Sequence, residues 1–122
     1  MIKIESIAFT SYPVTDLARA RAFYEEVLGL TYENGGVKDG MGFAEYEVGG
    51  GYFSVINGVP GWTPSDHGPA IAFEVEDFDG AIASLREKGV RFAIEPFPTA
   101  VCRMALIFDP DNNQIIIHKR NS

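Results

Sequence analysis

Apolar and polar residues change period along this chain in an order that occurs twice. Residues 4–12 read as a strand, closed by Pro13. Asp16 then offers a side-chain oxygen to a helix N-terminus, and Leu17, Ala20, Tyr24, Val27 and Leu28 follow at helical spacing. Gly29 stands where a left-handed residue closes a helix. Strand-like runs come next at 31–37, 43–48 and 52–57, with turns expected at Gly35-Gly36, Asp39-Gly40 and Gly49-Gly50-Gly51. Residues 58–69 hold Gly58, Pro60, Gly61, Pro64, Gly68 and Pro69, which exclude regular structure.

The pattern then restarts. Residues 70–75 read as a strand, Asp77 caps a helix with an apolar face of Phe78, Ala81, Ile82 and Leu85, and Gly89 ends it. Further strands are expected at 91–94, 101–108 and 114–119. The capping aspartates are 77 − 16 = 61 positions apart and the closing glycines 89 − 29 = 60 apart. A repeated supersecondary unit of this length predicts an α+β fold of two βαβββ modules: module one at 1–57, a linker at 58–69 and module two at 70–122. The 122 residues are expected to form a single domain.

Charge narrows the classes of partner. The net charge is −7 and the only basic pair is the terminal Lys119-Arg120, which argues against nucleic acid and against an anionic membrane surface. No apolar run reaches membrane-spanning length, and the start of the chain does not resemble a signal peptide. Cys102 is the only cysteine, so no intrachain disulfide and no cysteine-based zinc cluster can form. A cytoplasmic protein is expected. No phosphate-binding glycine loop, Gly-x-Ser-x-Gly elbow or His-Glu-x-x-His pair is present.

"DLARARAFYEEVLGL", "AIAFEVEDFDGAIASLREKGV" and "FDPDNNQIIIHK" together resemble the vicinal-oxygen-chelate superfamily of glyoxalases, bleomycin-resistance proteins and extradiol dioxygenases. The third stretch departs from the family turn at Asn112, where glycine is usual; Asn tolerates the left-handed conformation that such a turn needs. The resemblance implies modules whose sheets curl into an open cup with helices outside. It also implies, in the metalloenzymes, a divalent metal held by polar residues on four strands. In this sequence those positions fall on Ala8 or Phe9, Ser54, Ala70 and Ile116, which supply at most one weak hydroxyl ligand. No metal and no cofactor is therefore expected.

Strand alternation puts Gln114, Ile116 and His118 on one face of the last strand and Ile115 and Ile117 on the other, under the helices. Glu74 shares the parity of Ala70 and is expected to face His118. These two are the candidate acid–base pair, because histidine changes charge near neutrality and a carboxylate can orient it. Both are equally readable as solvated strand-end residues. Trp62, in the linker, is expected to cover a ligand, a partner or the edge of the core. Phe9, Tyr52, Ser54, Ala70, Met104 and Ile116 complete the expected lining. Glu45 and Glu47 share a strand face and read as solvated, His67 as an ordinary loop histidine, and Cys102 as a small strand hydrophobe.

Two functions follow. One is a metal-free protein that binds a small organic molecule, with cationic and aromatic ligands both open to it. The other is a lyase, isomerase or dioxygenase-like enzyme that uses a displaced metal site or His118 alone. A homodimer is expected in either case, because short sheets leave exposed edges.

Overall fold

The capping aspartates act in the structure as their positions predict. In the computed structural model, which describes all residues from Met1 to Ser122, Asp16 Oδ1 accepts the backbone N–H of Arg19 at 3.1 Å and Asp77 Oδ1 that of Gly80 at 3.0 Å. Each caps the helix of one βαβββ module. The chain divides into two compact units, Met1–Thr63 and Pro64–Ser122. The fold is α+β: two open four-stranded mixed sheets, each with helical structure on one face.

The first unit contains β1 (Thr10–Pro13), α1 (Leu17–Arg21), β2 (Tyr32–Lys38), β3 (Met41–Val48) and β4 (Gly51–Asn57), with sheet order β1-β4-β3-β2. β1 runs parallel to β4; the other pairs are antiparallel. Helix α1 passes directly into a π-helical segment, Ala22–Val27, whose wider turn the sequence spacing did not foretell. Tyr24 of this segment and Ala20 of α1 are buried together with Tyr12, Val14, Ala44, Tyr46, Phe53 and Val55. The rings of Tyr24 and Phe53 lie 5.2 Å apart, and Tyr12 meets Phe53 edge-on at 5.3 Å.

The second unit contains β5 (Ile71–Glu74), α2 (Phe78–Glu87), β6 (Phe92–Pro98), β7 (Cys102–Phe108) and β8 (Gln114–Arg120), in the order β5-β8-β7-β6. Phe78, Ile82 and Leu85 of α2 bury against Ala105, Ile107, Ile115 and Ile117. Gly29 and Gly89 both have positive φ, 77° and 73°, as helix-closing residues. The β7–β8 turn is held by Asp109: its Oδ1 accepts from the N–H groups of Asp111 and Asn113, and its Oδ2 from the Asn113 side chain. Asn112 takes the left-handed conformation there, at φ 69°.

Three expectations about elements are corrected. The first strand begins only at Thr10, because residues 1–9 find no strand to pair with. Gly35 and Gly36 are not a turn but lie inside β2, where a bulge after Tyr32 lengthens the strand. A Cβ on Gly35 would collide with the Phe43 carbonyl oxygen, so glycine lets β2 approach β3. Finally, β6 runs on to Pro98 rather than stopping near Ile94, with two register shifts against β7.

Candidate functional site

Strand register decides which residues share the helix-free faces. In the second unit Ala72, Leu106 and Ile116 stand side by side, as do Glu74, Met104 and His118 one row further along. Ile115 and Ile117 are buried under α2, while Gln114, Ile116 and His118 are partly exposed on the opposite face, as alternation requires. His118 Nδ1 lies 2.5 Å from Glu74 Oε1, and Glu74 Oε2 accepts the Arg120 N–H at 2.8 Å. These bonds, the Arg120 N–H first, hold the Glu74 carboxyl below the usual carboxylate range. The pair fixes one ring nitrogen of His118, so Nε2 is the one left for other chemistry. Apolar Met104, Leu106, Ile116 and Ala72 adjoin it.

In the first unit the corresponding face carries Ser11, Ser54 and Glu45 in one row, with Tyr52 and Glu47 in the next. Ser54 Oγ donates to Ser11 Oγ at 2.9 Å, and Ser54 is buried. Ser11 was missed by the sequence reading. It precedes Asp16 by 5 positions, as Ala72 precedes Asp77, and that shared offset could have found both. The register therefore sets Ser11, rather than Ala8 or Phe9, beside Ser54, and Ala72, rather than Ala70, beside Ile116.

The remaining candidates scatter. Phe9 lies just before β1 and is 57% exposed, Ala70 precedes β5, and Trp62 is 53% exposed in the linker. Tyr52 and Met104 sit on helix-free faces. His67 is exposed beside Asp66. Cys102 is buried, with its Sγ 3.0 Å from Thr99 Oγ1, and packs as a small hydrophobe.

Ser54 and Ile116, two of the positions that the family resemblance implies, thus stand beside Ser11 and Ala72 respectively. In the first unit the two hydroxyls are bonded to each other, and in the second unit both side chains are hydrocarbon, so neither pair offers the donors that a divalent ion takes. Nor does any group of three or more His, Cys, Asp or Glu side chains come together elsewhere.

Residues 6–117 match the model of the Glyoxalase/Bleomycin resistance protein/Dioxygenase superfamily. The chain belongs to that superfamily. No curated protein sequence matches it. Among solved structures, a superfamily member from Sphaerobacter thermophilus is 26% identical, with 95% of this chain and 98% of that one covered and a TM-score of 0.76. TnmS3, an antibiotic binding protein from Streptomyces sp. CB03234, is 24% identical over 99% of this chain and 100% of its own, with a TM-score of 0.77. The fosfomycin resistance protein FosX from Listeria monocytogenes shares the fold at 16% identity, covering 96% and 94%, with a TM-score of 0.75. No helix of this superfamily member is long and apolar enough to cross a membrane.

Proposed function

We propose that this protein is a metal-free small-molecule-binding member of the superfamily, a single domain that holds an organic ligand on a helix-free sheet face. The observation that carries this reading is the lack of strong donors at the positions the resemblance implies and beside them: Ser54 with its neighbour Ser11, and Ile116 with its neighbour Ala72. Apolar rows with a few polar groups suit a ligand that has both apolar and polar faces. The fold likeness to TnmS3, an antibiotic binding protein, supports this reading. Trp62, half exposed on the linker, is positioned in this reading to contact the ligand. The working form is a cytoplasmic homodimer.

A second reading has one specific observation in its favour. The Glu74–His118 pair has the geometry of a carboxylate-oriented base, with Nδ1 engaged. In that case the protein catalyses a metal-free proton transfer on a ligand bound beside Ile116 and Met104.

Two measurements test the first reading together. Elemental analysis of tag-free protein, dialysed without chelator, is expected to show no stoichiometric divalent metal. A library of aromatic and cationic compounds, followed by thermal shift and Trp62 fluorescence, is expected to yield saturable ligands. One metal ion per chain, lost on His118→Ala, would restore a metalloenzyme instead. Turnover of a bound ligand that disappears in both His118→Ala and Glu74→Gln would establish the second reading.

A further inference from the structure

The β2–β3 hairpin and Ile56 of β4 form an open pocket of about 460 Å³, lined by Gly36, Val37, Met41, Gly42, Phe43 and Ile56, with the charged pair Lys38 and Asp39 at the hairpin end. That volume falls in the range of small-molecule sites, about 300–1,000 Å³. Its origin is a missing side chain. Gly36 stands directly opposite Phe43, and a Cβ added at Gly36 would meet nothing within 4 Å. Nothing in the backbone demands glycine there, since Gly36 is not among the positive-φ glycines. The neighbouring Gly35 is different, because a Cβ there meets backbone. Phe43, 37% exposed, and Met41, 41% exposed, are thereby left as open apolar wall.

The next row along the same face is polar. Glu45 stands there beside Ser54 and Ser11, and Tyr52 occupies the row beyond, opposite Glu47. Glu45 is only partly exposed, yet its carboxylate has no hydrogen-bond or ion-pair partner. Its oxygens stay open to solvent, so a cationic ligand can reach them. The cation at Lys38 does not serve it. Lys38 pairs with Met41, four residues from Glu45 along β3, or about 14 Å at about 3.4 Å per residue. Phe43 and Tyr52 belong to the rows on either side of Glu45, each about 7 Å along the sheet from it.

We propose that this face of the first sheet is a binding site for an organic ammonium ion: its aromatic or branched apolar body fills the space left by Gly36, and its nitrogen sits against Glu45 between Phe43 and Tyr52. The site deepens the small-molecule-binding reading and rests on it. The net charge of −7 adds a general attraction for such a cation.

The test uses two probes of nearly equal shape, 2-naphthylmethylammonium and neutral 2-naphthalenemethanol, titrated calorimetrically at pH 7 into wild type and variants. The ammonium is expected to bind wild-type protein about tenfold more tightly than the alcohol, and Glu45→Gln to remove that preference. Gly36→Val fills the cavity with a residue suited to a strand, so both probes should weaken at least about tenfold while the thermal midpoint holds or rises. Phe43→Ala gives the same loss from the opposite wall if the valine variant fails to fold. Equal binding of the two probes, no measurable binding of either, or full binding to folded Gly36→Val overturns the site. If library compounds still bind the wild type in any of these cases, the general binding reading stands and only this site falls. If none binds, both fall.

Discussion

The carboxylate of Glu74 takes two donors from β8, the Arg120 N–H and the His118 ring, and its folded titration is lowered from the ordinary 4.5 in consequence. A carboxyl depressed by folding contributes stability above its unfolded value, and that contribution is lost as pH falls through the folded value. Glu74→Gln is therefore expected to be less stable than wild type in urea at pH 7. The difference should shrink as the pH drops below about 4.5 and vanish once the wild-type carboxyl is protonated. A difference that stays constant from pH 7 to pH 3 would mean that the charge of Glu74 contributes nothing. The pairing of Glu74 with His118 was legible in the sequence, because both lie on strands of known parity. That Arg120 adds a backbone donor was not, since it depends on where β8 ends relative to β5.

Glu25 shows what the π-helical segment accomplishes. It accepts from Arg21 at 2.6 and 3.2 Å and from the hydroxyl of fully buried Tyr46 at 2.9 Å. Arg21 also lies 4.0 Å over the Tyr32 ring, so the helical segment is tied to both β2 and β3. The Tyr46 hydroxyl is raised in pKa by burial first and by Glu25 second, and it remains a donor throughout the ordinary pH range. Tyr46→Phe removes one hydrogen bond to a charged group and is expected to cost about 1.5–3 kcal/mol in denaturant unfolding, with an unchanged m-value. A loss under a few tenths of a kcal/mol would show that Arg21 alone satisfies Glu25. On α2, Asp77→Ala removes the side-chain cap on Gly80 and is expected to cost about 1 kcal/mol. Asp77→Asn should recover most of that, and an alanine variant as stable as wild type would deny the cap any role.

Across the molecule, the apolar surface with no partner in the chain is concentrated before β1. Ile2, Ile4 and Ile7 are 85, 78 and 84% exposed, and residues 1–9 join no sheet. Exposed apolar side chains in a strand-prone segment are what a second copy would cover. Sedimentation velocity at micromolar concentration is expected to show a dimer, and Ile4→Lys with Ile7→Lys to shift it toward monomer without loss of the fold. A wild-type monomer would refute the proposed dimer. Chelator treatment is expected to leave the thermal midpoint unchanged within error, since Ser11, Ser54, Ala72 and Ile116 offer a metal no adequate donors.

Helix caps, closing glycines, the repeat of about 60 residues and the inward Ile115 and Ile117 all depend on residues close together in the chain, and the sequence by itself determined them. The register of one strand against another is a different quantity. It arises from pairing between segments such as Ser11 with Ser54 and Ala72 with Ile116, which are 43 and 44 positions apart, and a small slip along a strand changes every neighbour. Tertiary pairing therefore decided that Ser11 stands beside Ser54 and Ala72 beside Ile116. It also decided that Gly36 lies opposite Phe43 inside a strand instead of in a turn, and that residues 1–9 are left outside the sheet. The pocket at Gly36 has the same origin. It is made by a side chain that is absent, and an absent side chain becomes a space only when the strand that would have been covered is set beside it.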